Sequence, residues 1–198
     1  MVNNETTEYL RIDEKENAID SLGRALAFLS EAEQNPFNWK WFTIALHNAA
    51  YSFMLLALQN TDLSGIWQEE PKIREKNGLI DIFNPKNKPI SFMGVFERIQ
   101  DPERMGGYIN SKAFPAKPYH KDLMKHLKDC LRNEFIHFRP KGWSVHKKYI
   151  VEISLPVLEV VKFLAFESGR VRFFEDSQIK RTKTYLDALQ VILKNYET

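Results

Sequence analysis

The chain has 198 residues, 43% of them hydrophobic and 27% charged, with a formal net charge of +2. That length and balance describe one compact domain with a real core, and they exclude a largely disordered or strongly polyionic protein. The single cysteine, Cys130, excludes an intramolecular disulfide, and no Cys/His spacing matches a structural zinc site.

Residues 1–17 are polar and acidic and read as a flexible lead-in, with residues 18–198 as a single α-helical domain. The opening Met1-Val2-Asn3-Asn4-Glu5 has neither a basic region nor an apolar run, so no secretory signal is expected and the protein reads as cytoplasmic. From Ile19, the residues Leu22, Ala25, Leu26, Leu29 and Ala32 recur at helical spacing until Asn35-Pro36. The next run, Trp39 to Gln59, is apolar nearly all round and predicts the central helix of a bundle. Its most apolar part, Phe42 to Leu58, is interrupted by His47 and Asn48 and is short for a span, so no membrane is expected.

Residues 60–90 carry Gly65, Pro71, Gly78, Pro85 and Pro89 and predict a long irregular connection holding at most a short helical turn. Ser91 to Gln100 predicts a short third helix, and Gly106 to Pro118 a second irregular stretch. A fourth helix is expected from about His120 to Phe138, burying Leu123, Leu127, Leu131 and Phe135. Pro140 disfavours helical geometry at the residue before it, so this helix should end close to His137. Tyr149 to Ile153 is ambiguous, whereas Ser154-Leu155-Pro156 reads as a cap and first turn leading to Ser168. Ile179, Leu186, Leu189, Leu193 and Tyr196 mark a last helix. The expected fold is therefore an all-α bundle of about five to six helices with two long irregular connections.

The chemistry concentrates between Lys117 and Lys148. Four of the five histidines lie there, His120, His126, His137 and His146, among nine Lys/Arg and three Asp/Glu. This local cationic excess leaves the rest of the chain net acidic. Within it stands Leu131-Arg132-Asn133-Glu134-Phe135-Ile136-His137-Phe138, which places an obligate cation, an amide and a histidine in the last turns of one helix. On an ideal helix Arg132 and His137 point about 140 degrees apart. Asn133 and His137 are neighbours at i and i+4, so the amide can fix the imidazole tautomer. Arg132 and His137 converge only if the last turn loosens or if a second copy crosses at a twofold axis, which ties catalysis to self-association. A plainer reading stands beside this one: a histidine in a last turn faces the helix dipole favourably, and an arginine there pairs with an acid such as Asp129.

Lys121, Lys125 and Lys128 would extend a phosphate track together with Arg139 and Lys141, and Trp143 or Phe138 would stack a base. Lysines on an outer helix face are also simply solvated, and Trp143 also suits the sealing of the bundle end. His126 and His146 fit surface positions as well as site positions, and His47-Asn48 reads as a satisfied buried pair of the central helix, with a place near the motif helix as the alternative. No His/carboxylate cluster has metal-ligand spacing, so neither metal nor cofactor is expected.

The run from Leu131 to Phe138, followed by Pro140-Lys141-Gly142-Trp143-Ser144, resembles the HEPN superfamily (higher eukaryotes and prokaryotes nucleotide-binding). That family's signature is an Arg, usually followed by a polar residue, and then a His near the end of a helix in an all-α bundle. Arg132, Asn133 and His137 fill those positions as Arg-Asn-x3-His. The resemblance implies an RNA-binding protein, commonly a metal-independent endoribonuclease of toxin–antitoxin or defence type. It also implies a homodimer whose motif residues (Arg132, His137 and Asn133) line one cleft, with an antitoxin protein as a further partner. The same superfamily contains non-catalytic modules that dimerise or bind a partner protein or nucleotide.

Overall fold

A computed structural model describes residues 10, 12–71, 78–82, 84–137, 140 and 142–196. Within them the chain is an all-α bundle without a β-sheet. The helices are α1 (Glu14–Ser30), α2 (Asn38–Leu58), α3 (Phe92–Arg98), α4 (Pro102–Met105), α5 (Pro118–His126), α6 (Asn133–Ile136), α7 (Lys147–Phe166) and α8 (Asp176–Asn195). A π-helical turn, Leu127–Arg132, joins α5 to α6, so the three pieces make one rod.

The central position of α2 follows from its composition. Apolar side chains on most of its circumference leave no solvated face, and it packs against α1, α7, α3 and the π turn. It is also the described helix with the length and apolarity of a membrane span, and 61% of its most apolar window is buried inside the fold. The α1 and α7 helices pack along it, and α8 packs against α1 and α7. The core is continuous across all of these elements, with Phe42, Phe53, Phe96, Leu131, Val157 and Leu189 among its fully or almost fully buried side chains.

Several boundaries differ from the sequence reading, each for a local physical reason. The first helix begins at Glu14, inside the stretch expected to be a flexible lead-in, because Asp13 caps it through a 2.8 Å bond from the Glu16 amide. Glu16 in turn accepts from Arg181 at 2.8 Å and from Gln178 at 2.9 Å, tying the first turn to α8. The α7 helix begins at Lys147 rather than Ser154, with His146 accepting from the Lys148 amide as its cap. Pro156 therefore lies inside the helix. The buried side chains Ile150, Val151 and Ile153 hold the preceding turns on the core, which outweighs the hydrogen bond that proline cannot make. The short α4, opened by Asp101 and Pro102, has too few residues to show a period.

The described parts of residues 60–90 form no helix, yet they are pinned. Trp67 is buried, donates its indole N–H to the Leu63 carbonyl at 2.7 Å and bridges to Pro89. Gly65 sits at φ +93°, where a Cβ would come within 2.3 Å of the Leu58 carbonyl oxygen, so only glycine allows this loop to close on the end of α2.

Candidate functional site

The rod that carries the motif is cored by His120, Met124, Leu127 and Leu131. Spacings of four, three and four keep these side chains on one face, and Leu123 and Phe135 are half-buried beside them. The π turn widens the helix so that the Asn133 amide donates to the Lys128 carbonyl, five residues back. Such turns occur frequently at functional sites because they redirect side chains beyond them. The helix ends at Ile136, as Pro140 dictates, and His137 leaves helical geometry at φ −97°, ψ 65°.

Arg132 is half-buried and gives one guanidinium N–H to the Asn133 side-chain oxygen at 2.9 Å. The Asn133 amide nitrogen in turn donates to Asp129 at 3.3 Å, and Lys128 pairs with Asp129 at 3.2 Å. Asn133 thus orients Arg132. No described hydrogen bond or ion pair joins the His137 ring to Arg132 or Asn133, and that ring is exposed. On α2, against which the π turn packs, His47 is buried and stacked on Phe92 with ring centroids 4.2 Å apart, whereas Asn48 is exposed, so the two do not form the expected buried pair. Neither His47 ring nitrogen meets a hydrogen-bond partner of ordinary geometry among the described residues. Burial foremost, then the Arg132 charge, push its pKa from 6.5 down to about 4, with Lys128 adding to the fall and the Asn48 side chain opposing it. His47 is therefore a neutral ring lying next to the motif cation.

The sign of this shift predicts acid lability. The unfolded chain takes up the proton near pH 6.5 and the folded chain only near 4, so within that window the unfolded state holds more protons and stability falls with pH. The full loss amounts to about 3 kcal/mol. Urea midpoints measured at neutral pH and near pH 4 should drop much less in His47→Leu than in the wild type; an equal drop would remove His47 from this role.

The remaining histidines are committed to structure. His120 is buried, accepts from the Lys117 amide at 2.9 Å and turns its other nitrogen toward Glu159 at 3.3 Å, with burial holding its pKa below the ordinary value. The His126 ring lies 3.0 Å from the Tyr149 hydroxyl and ties the rod to α7. His146 caps α7.

Among the lysines, Lys121 pairs with Glu97 at 3.4 Å and Lys128 with Asp129, whereas Lys125 is exposed. Arg139, Lys141 and Phe138 lie outside the described residues. Trp143 packs on Phe135 with centroids 5.2 Å apart and faces a cleft against the start of α2. No group of three His, Cys, Asp or Glu side chains capable of holding a metal ion occurs among the described residues.

Sequence reading anticipated the motif but not the partners of its arginine. The placement of Trp39 and Lys40 opposite Phe135 and Trp143 joins segments about a hundred residues apart, and no local pattern signals it. No protein-family model, no curated protein and no solved structure matches the chain.

Proposed function

We propose that the protein binds RNA and cleaves it without a metal, as a HEPN-like endoribonuclease of toxin or defence type acting as a dimer. One observation carries this reading: on a single cationic rod every other histidine is used by the fold, while His137 stands exposed at the end and Arg132 is held in place by Asn133. A histidine takes the 2′-hydroxyl proton as the 2′-oxygen bonds to phosphorus. The bond to the 5′-oxygen breaks, and that oxygen leaves with a proton from the partner subunit's motif histidine or from water. Arg132 grips the phosphate through its planar fork as charge builds on it, and Asn133 acts as a positioning residue. The products are a 2′,3′-cyclic phosphate and a 5′-hydroxyl end, and DNA is left intact.

The orientation of Asn133 favours one other reading. Its amide serves Arg132 and Asp129 instead of His137, as in a module that holds a partner protein or nucleotide without cutting. End-labelled total RNA and tRNA incubated in EDTA with wild type, Arg132→Ala and His137→Ala separate the two. Cleavage with cyclic-phosphate ends, lost in both variants, is the expected result; RNA left intact by all three proteins would put the binding module first.

A further inference from the structure

The cleft faced by Trp143 lies between the start of α2, the end of the motif rod and the start of α7. Its volume of about 380 Å³ falls within the range of small-ligand sites. It is half-open and is lined by Trp39, Lys40, Glu134, Phe135, Trp143 and Lys147, among others. Two of these, Glu134 and Phe135, follow Arg132-Asn133 directly in the chain.

The walls suit a flat ring. Phe135 and Trp143 lean on each other at an interplanar angle of 42°. Trp39 is held edge-on by Tyr196 at 5.0 Å and Phe42 at 6.0 Å, which fixes its indole. Trp39 is only 4% exposed, yet its indole N–H has no acceptor among the described residues. An indole nitrogen donates and never accepts, and a stranded buried donor is costly enough that native proteins rarely keep one without reason. Trp67, the other buried tryptophan, gives its N–H to a carbonyl in the ordinary way. A ligand that brings an acceptor into the cleft would satisfy the Trp39 donor.

We propose that this cleft is a base pocket that takes an unpaired guanine beside the phosphate held by Arg132; the proposal rests on the RNA reading above. Guanine is the purine that carries a carbonyl acceptor for the Trp39 N–H. Adenine and cytosine present an amino group where that carbonyl stands. Uracil offers such a carbonyl on a smaller ring for Trp143 and Phe135 to cover. Lys40 and Lys147 on the cleft lining supply charge for the flanking phosphates, and stacking on aromatic side chains is the usual way in which proteins hold splayed RNA bases.

The test follows the indole N–H resonances of the full-length chain by NMR during titration with 5′-GMP, 5′-AMP, 5′-CMP and 5′-UMP. The four tryptophans give four such signals, and Trp67 serves as the internal control. GMP should shift the Trp39 and Trp143 signals saturably and leave Trp67 in place, with the other nucleotides binding roughly tenfold or more weakly. Trp39→Phe keeps the ring but removes the donor, and should weaken GMP roughly tenfold. Trp143→Ala should abolish the shift. Equal shifts from all four nucleotides would overturn the guanine assignment. No shift from any of them at millimolar concentration would overturn the pocket, and RNA cleavage persisting in Trp143→Ala would then show that the ribonuclease reading survives without it. GMP binding at Trp39 in a protein that neither binds nor cuts RNA would uphold the pocket and remove the ribonuclease reading.

Discussion

Replacing Arg170 with methionine should destabilise the fold by about 3–5 kcal/mol, the cost typical of breaking a buried polar network. Arg170 is buried just beyond the turn that ends α7. Its guanidinium donates to the carbonyls of Ala57 at 2.6 Å, Leu58 at 3.3 Å and Gly106 at 2.8 Å, and to the Asn60 side-chain oxygen at 3.1 Å. Ala57 and Leu58 are the last residues of α2, whose terminal carbonyls have no partner within the helix. The cation also faces the negative end of the α2 dipole and lies over the Tyr108 ring, 4.6 Å from its centroid. Methionine would match the length of the stem while leaving two buried carbonyls and a half-buried one without its donors. Arg170→Lys, with a point charge in place of a fork, should lose less but still more than a typical surface substitution. Denaturant unfolding of the three proteins reads the order directly; a methionine variant within 1 kcal/mol of wild type, measured against the expected ~3–5 kcal/mol, would show that the network carries no net stability.

The second large effect concerns the motif. Arg132→Ala and His137→Ala should each lower RNA cleavage by about 100-fold or more, the contribution of a positioned acid–base group or phosphate clamp. Mixing the two dead proteins should then restore activity. If each site takes Arg132 from one chain and His137 from the other, half of the randomly mixed dimers carry one intact site, and about a quarter of the wild-type rate returns. Sites built within single chains would leave the mixture dead. The geometry motivates the experiment, since His137 is turned out of the helix and no described bond joins its ring to Arg132 or Asn133, while Ile136 beside it is 42% exposed. Light scattering that shows only monomer would count against the shared cleft in the same way.

What could be read from the sequence divides by the range of the interactions. The α2 core helix, the α5–α6 rod ending before Pro140 and the α8 helix declare themselves through apolar spacing, which depends only on near neighbours. The α7 start does not, because Pro156 is a strong local stop signal and the packing of Ile150 and Ile153 that overrides it is tertiary. The π turn is equally silent: Leu127 and Leu131 have ordinary helical spacing, and the extra residue shows only in the hydrogen bonds. Of the candidate site, the Arg132–Asn133–His137 run stands out by residue type, and the proximity of His47 was expected in outline. The Asp129–Asn133–Arg132 chain of contacts is local, but spacing alone does not say that the Asn133 amide turns back to these neighbours instead of forward to His137, and the Trp39 wall of the cleft depends on where distant helices lie. Arg170 had no signature at all, since nothing near residue 170 says that the end of α2 will need its donors.

The length of α2 gives these findings a spatial order. Its 21 residues span about 30 Å. One pole, at Leu58, is sealed by Arg170 and by the loops folded over it; the other, at Trp39, opens on the aromatic cleft, with His47 and Arg132 partway between. Folding insurance and the proposed ligand chemistry thus occupy opposite poles of a single helix, and substitutions far apart on it should combine additively. Descendants of this chain can therefore exchange the side chains at the Trp39 pole for others, and with them the base proposed to bind there, while the Arg170 pole keeps the bundle closed.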